Sequence, residues 1–249
     1  MMSTMKSFSN CESLFEAKVF QRKTLASNVV LIPAKNEVNT IGKIISDIKT
    51  RFAMTVVVID DASADQTASV ARAAGAIVLP LSFSLGAWGA IQTGLRYATK
   101  HGYCTAITMD ADGQHEADSI PTLLEPIIKG QCDVVIGAYP QRGSLLRQVA
   151  WTLFRQLSGI TLEDLTSGLR AYNLAAMTLL SSKAATLLDY QDMGVLILLH
   201  KTKLRIQETP ILMYPRINGH SRIFSSWWAV SRYMLHTMIL CLARFKFRG

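Results

Sequence analysis

Thr105–His115 reads TAITMDADGQH, a short apolar run that stops on two aspartates and a glycine. Its apolar residues are consecutive rather than alternating, the pattern of a strand covered on both faces. The same form occurs twice upstream. Asn28–Glu37 (NVVLIPAKNE) runs into Lys35, Asn36 and Glu37, and Met54–Thr67 (MTVVVIDDASADQT) runs into Asp60, Asp61 and Asp65. Ala76–Leu79 and Asp133–Gly137 are further strand candidates, and helical spacing occupies 38–51, 66–74, 87–100 and 119–129. Strand–helix alternation of this kind predicts βαβ units and an α/β sheet with right-handed crossovers. Asp65 and Ser119 stand where they can cap helix amides, and Pro121 suits a first turn.

Beyond Gly137 the pattern changes. A polar loop at 138–144 leads to a helix at 145–157, then to strands expected at Thr166–Tyr172 and Arg205–Tyr214. The first half reads as a nucleotide-binding half and the second as the acceptor side. The chain divides into an N-terminal extension (1–27), a main domain (28–222) and a C-terminal segment (223–249). That last segment is apolar but interrupted by Arg232 and His236, so its uncharged stretches fall short of the ~20 residues a spanning helix needs. Trp227, Trp228 and Tyr233, with the basic end at Arg244, Lys246 and Arg248, suit an amphipathic helix at a membrane interface.

Charge placement agrees with this. The net charge is +8, and no Asp or Glu follows Glu208 while six Arg or Lys do. Nucleic-acid binding would call for an aromatic and basic platform spread over a domain, whereas a basic tail mixed with Trp and Met suits an anionic lipid surface. Cys11, Cys104, Cys132 and Cys241 form no metal-binding or paired spacing, as expected of reduced packing cysteines. Residues 1–28 lack the continuous apolar core of a signal peptide. The expected location is cytoplasmic, peripheral to the inner face of the cell membrane.

Three acidic features therefore stand at strand ends: Pro33–Glu37, Asp60–Thr67 and Asp110–His115. Ligands of parallel α/β sheets bind outside the carboxyl ends of the strands. Any one such feature is ordinary, since strand-end acids cap helices and make turns. Three on one edge suggest a site. The turn at Gly113 lets Asp110 and Asp112 converge, and hard oxygen ligands of this kind suit Mg²⁺ or Mn²⁺ against a diphosphate. A zinc site built on His115 lacks further nitrogen or sulfur ligands nearby. Gly86-Ala87-Trp88-Gly89 with Gly94 does not have the spacing of a dinucleotide fingerprint and reads as a close-approach turn opening a small-residue helix face.

Taken in order, these blocks resemble the family 2 glycosyltransferases of GT-A fold, especially the dolichyl- or polyprenyl-phosphate mannosyl- and glucosyltransferase branch. The family's Pro-x-x-Asn-Glu is similar to Pro33–Glu37, its Val-Asp-Asp-x-Ser-x-Asp-x-Thr to Ile59–Thr67, and its Asp-x-Asp-x-Gln-His to Asp110–His115. Downstream, Asp164–Arg170 (DLTSGLR), Glu208–Ile211 (ETPI) and Arg216–Ser221 (RINGHS) resemble further family blocks. The resemblance implies a mixed, mainly parallel sheet flanked by helices and an inverting, nucleotide-sugar-dependent hexosyltransferase. It implies that Pro33, Lys35 and Glu37 border the base and ribose, that Asp61 contacts the base, that Asp110 approaches the ribose or sugar, and that Asp112 and Gln114 ligate the metal. For a lipid-phosphate acceptor it implies cations: Arg142, Arg147, Arg170, Arg216 and Arg222, with Ser221 beside them. Where the family has an arginine after the fifth strand this chain has Tyr139, so Arg142 or Arg147 would supply that contact.

Two other readings stand beside this one. A transferase to a sugar hydroxyl, as in lipopolysaccharide or capsule assembly, would need a carboxylate base, Asp164 or Asp192, because a hydroxyl loses its proton as it attacks. A catalytically silent donor-binding protein would keep the fold and the acidic blocks without turnover.

Overall fold

The computed structural model describes residues 27–139, 162–164, 167–186, 188 and 193–214. Within them lie seven strands: β1 (Asn28–Ala34), β2 (Thr55–Asp60), β3 (Ile77–Pro80), β4 (Thr105–Thr108), β5 (Val134–Ala138), β6 (Arg170–Asn173) and β7 (Ile206–Pro210). The helices are α1 (Ile41–Arg51), α2 (Thr67–Ala73), α3 (Gly86–Lys100), α4 (Ile120–Ile128), α5 (Leu174–Leu180), α6 (Lys183–Thr186) and α7 (Met193–Lys201), with a 3₁₀ turn at Ala117–Ser119 before α4. The strands form one sheet in the order β3-β2-β1-β4-β6-β5-β7. β1 runs parallel to β2 and β4, β2 to β3, and β5 to β7, while β6 lies antiparallel between β4 and β5. The mixed, mainly parallel sheet with flanking helices is thus as expected.

The consecutive apolar residues of β1 follow from its central place. Val29, Val30, Leu31 and Ile32 are all fully buried, each such side chain contributing about 1.5–3 kcal/mol of burial. Alternate residues serve opposite faces. Val29, Leu31, Val57 and Ile59 pack with Trp88, Ile91 and Leu95 of α3 and Met177 of α5. Val30, Ile32, Val56 and Val58 pack with Ile41, Ile45 and Ile48 of α1 and Leu123 and Leu124 of α4. Gly94 allows α3 its close approach: a Cβ there would fall 2.8 Å from Ile59 Cδ1 and 3.2 Å from Leu31 Cδ1.

Several expectations are corrected in detail. β3 is an exposed edge strand rather than one covered on both faces, with Ile77 and Pro80 open to solvent. The strand expected from Thr166 begins only at Arg170, because Ser167–Leu169 form a turn in which Leu169 N donates to Ser167 Oγ. β7 ends at Pro210, short of Tyr214. Ser119 makes no capping hydrogen bond, whereas Asp65 accepts the amide of Thr67 at the start of α2. Cys132 is buried and Cys104 exposed, both as free thiols. The helix at 145–157, residues 1–26 and the C-terminal helix lie outside the described residues.

Candidate active site

The loops after β1 and β2 are laced together. Asn36 N donates to Ser63 Oγ (2.9 Å), Ala64 N donates to Asn36 Oδ1 (2.8 Å), and Glu37 N donates to Thr67 Oγ1 (2.8 Å). Asp65 accepts from Val38 N and from both the amide and hydroxyl of Thr67. Its carboxyl lies below the usual range because the Thr67 hydroxyl and the amides of Thr67 and Val38 outweigh a desolvation that opposes them. Asn36, Ser63, Asp65 and Thr67 thus form the frame, not the chemistry. The frame is bent hard: Asn36 and Ala62 both have φ of 54°, a left-handed conformation costing an alanine about 1–2 kcal/mol. Strain of this kind persists where surrounding bonds over-determine the backbone, as the lacing does here.

Asp61, buried at the end of β2, turns its carboxylate to the loop before α3. It accepts from Ser84 Oγ (2.6 Å), Leu85 N (2.6 Å) and Gly86 N (3.2 Å). Carboxylate at a helix start is favoured by the unpaired amides there. Thr40 Oγ1 donates to Ala111 O (2.6 Å), which ties the start of α1 to the loop after β4. The three expected blocks are therefore brought to one sheet edge and bonded to one another. Lys35 and Glu37 are half-buried on this edge, beside Pro33.

On the other side of β4 stand Asp110 and Asp112. Asp112 is buried, and its Oδ1 accepts Gln114 N (3.1 Å) across the turn at Gly113, where φ is 77°. Gln114 Nε2 donates to Tyr214 O (3.2 Å) while Gln114 O accepts Tyr214 N (2.9 Å), so the chain after β7 clasps this turn and Gln114 Oε1 takes no part in the clasp. Tyr214 hydrogen-bonds Glu116, which raises its phenol above the usual range. Asp110 is partly exposed and packs against the backbone of Gly168, where a Cβ would overlap its carboxylate. His115 Nε2 lies 3.7 Å from Asp110 Oδ2.

β6 brings the second half of the site to this edge. Arg170, at the start of β6, is paired in register with Thr108 of β4 and Ile136 of β5. It is fully buried and its Nε donates to Ser167 O (2.8 Å), while Thr108 Oγ1 donates to Gly168 O (3.0 Å). Asp164 is also fully buried, with Oδ2 accepting Tyr139 N (3.2 Å). Glu208 of β7 accepts the amides of Glu163 and Asp164 at 2.7–2.8 Å. Burial pushes the Glu208 carboxyl above its ordinary value, against the two amide bonds, and the nearby acids Glu163 and Asp164 add to the rise.

Arg142, Arg147, Asp192, Arg216, Ser221 and Arg222 lie outside the described residues. Among the described residues no group of three or more His, Cys, Asp and Glu is arranged to hold a metal. Asp112 and Gln114 offer hard oxygens on a single turn, which fits a cation that takes few protein ligands and completes its shell from diphosphate and water. Gly168 and Glu208 were legible only as parts of motifs. Nothing in the residue pattern signals that one abuts Asp110 and the other clamps the Asp164 loop.

The model of Glycosyl transferase family 2 matches residues 29–185. Among characterised relatives, the chain is 29% identical over 212 residues to an undecaprenyl-phosphate mannosyltransferase of Micrococcus luteus, covering 78% of this chain and 86% of that one. It is 27% identical over 209 residues to a UDP-N-acetylglucosamine–dolichyl-phosphate N-acetylglucosaminyltransferase of Methanococcus voltae, covering 73% and 83%. Among solved structures, glucosyl-3-phosphoglycerate synthase from Mycobacterium tuberculosis superposes with a TM-score of 0.67 at 22% identity, over 86% of this chain and 79% of that one. That enzyme has also been crystallised with Mn²⁺ and UDP, and this form superposes with a TM-score of 0.65 at 22% identity, over 86% and 78%.

Proposed function

The chain belongs to glycosyl transferase family 2, and on that premise we propose that it moves a hexose from a nucleotide sugar to a polyprenyl phosphate, with inversion, at the cytoplasmic face of a membrane. The observation that carries the reading is the contact of Asp110 with Gly168, two residues before Arg170, which opens the strand paired with β4 beside the acidic turn. A phosphate acceptor is already ionised at neutral pH and needs a cation more than a base. Its oxygen attacks the anomeric carbon from the face opposite the diphosphate, the bond from that carbon to the diphosphate oxygen breaks, and the nucleoside diphosphate departs.

In this reading Pro33, Lys35 and Glu37 border the base and ribose, with Asp61 at the base and holding the Ser84–Gly86 turn. Asp110 approaches the ribose or sugar. Asp112 and Gln114 would hold Mg²⁺ or Mn²⁺, which when bound supplies neutralisation of the charge on the departing diphosphate. Arg170 draws the acceptor phosphate, joined by Arg142, Arg147, Arg216, Ser221 and Arg222. The relatives that act on undecaprenyl and dolichyl phosphates support this acceptor class.

The test is transfer from radiolabelled nucleotide sugars into a membrane lipid extract and into soluble glycans. Acid-labile label in the organic phase is expected, and label in a stable, water-soluble glycan overturns the proposal. The basic, aromatic segment 223–249 is assigned to the membrane surface. The chain without it should no longer sediment with vesicles of anionic lipid; undiminished sedimentation would refute that assignment. No helix among the described residues is long and apolar enough to cross a membrane.

A further inference from the structure

His115 carries the anomaly of this site. Its side chain is 0% exposed, yet neither Nδ1 nor Nε2 has a hydrogen-bond partner among the described residues. Buried polar groups are almost always paired, so an orphaned one asks what completes it. The ring is not poised to move. His115 forms a backbone bridge with Met213, and the adjoining Gln114 is held to Tyr214 by two hydrogen bonds. The group facing Nε2 is different. Asp110 Oδ2 is 3.7 Å away, on a side chain that is 36% exposed and therefore has room to turn.

We propose that His115 is a positioning residue for Asp110: its Nε2–H faces Asp110 Oδ2 across the 3.7 Å gap already without a ligand, closes onto it when a sugar donor is bound, and fixes the carboxylate there. Hydrogen bonds of this kind are often long in the empty site and tighten only in the complex. Gly168 bounds the carboxylate on a second side. Asp110 is thus bounded by a backbone that admits no side chain and, across from Oδ2, by the buried ring. The bond needs only a hydrogen on Nε2. Its kinetic consequence rests on the transferase reading, while the contact itself does not.

The test has two arms on the full chain. In the first, histidine ring ¹⁵N signals are recorded for the wild type and Asp110→Asn, with His115 among the five histidines assigned as the signals lost in His115→Gln. Asp110→Asn is expected to shift the His115 Nε2 signal and leave those of the other histidines in place; an unshifted His115 signal overturns the proposal. In the second arm, His115→Leu should lower kcat by about 10- to 100-fold with donor KM within about two-fold, the scale seen when a supporting hydrogen bond is removed. Its thermal midpoint should not fall, because leucine removes two orphaned nitrogens. His115→Gln, which keeps an N–H near Nε2, should recover most of the rate. Equal losses in the two variants, or no loss in His115→Leu, refute the positioning role. A wild type inactive with every donor and acceptor would count against the transferase reading, and the first arm would still decide the contact.

Discussion

Gly168→Ala separates the chemistry of this site from its stability. The Cβ of an alanine at 168 would overlap Asp110 Oδ2, Cγ and Oδ1, so one of the two groups must move. Asp110 will move, because its carboxylate is the end of a partly exposed side chain, whereas Gly168 is fixed by the bond from Thr108 Oγ1 to its carbonyl. Overpacking a core costs about 1–3 kcal/mol, and a carboxylate that can swing toward solvent places this substitution at or below the low end. Activity is another matter. A displacement on the order of 1 Å at a reacting group costs about 100-fold in rate, equivalent to about 2.7 kcal/mol of barrier. The assay pairs urea denaturation with sugar transfer from the preferred donor. Near-wild-type stability with kcat lowered about 100-fold is expected. A folded variant whose kcat stays within about three-fold of wild type would show that the position of Asp110 does not limit the reaction.

Asp112→Ala should abolish turnover that depends on Mg²⁺ or Mn²⁺, checked by titrating each ion against rate; an unchanged metal dependence would remove Asp112 from the metal site. Glu208→Gln should cost about 1 kcal/mol or more, since an amide side chain has one acceptor oxygen for the two amides of Glu163 and Asp164. Burial raises the Glu208 carboxyl, so its titration stabilises the fold fully below the ordinary glutamate range and that stability is lost as pH climbs through the raised value. The gap between wild type and Glu208→Gln in denaturant should therefore narrow as pH rises over that window. Asp133 joins three strands, accepting from Arg205 of the β7 approach and Asn173 of β6 beside its own β5. The Arg205 side-chain bonds foremost hold its carboxyl low, against partial desolvation. Asp133→Ala should cost about 1–3 kcal/mol in urea above the carboxylate range, with the difference vanishing as pH falls through the depressed value.

The sheet was legible because β1, β2 and β4 are buried on both faces and cannot hide their apolar runs. β3 carries a similar run on an edge, where the pattern no longer reports burial. β6 was misplaced at its start because Thr166–Leu169 has the composition of a strand, while the bonds that bend it, from Arg170 Nε to Ser167 O and from Thr108 Oγ1 to Gly168 O, join residues with no periodic relation. The site was legible in its residues and less so in their duties. Asn36, Ser63 and Thr67 sit in the same blocks as Lys35 and Asp61, and the bonds by which those three brace the loops join residues about thirty positions apart, which no local pattern announces. Asp61 shows the limit: nothing in a strand-end acid announces that it also braces the turn before α3 through the amides of Leu85 and Gly86.

The antiparallel β6 also governs when the site comes into being. β1, β2 and β3 each pair with a neighbour reached through one helix, so the donor loops can form early from contacts close in the chain. The register of Thr108 with Arg170 instead joins strands with α4 and β5 between them in the chain, and such distant pairings carry a larger loop-closure entropy and form slowly. A nascent chain released no further than β5 would hold every acidic block yet lack Gly168 and Arg170. In the proposed reaction, competence to transfer therefore arrives with the last strand to enter the middle of the sheet, and a half-made molecule holds the donor blocks without the residues assigned to the acceptor.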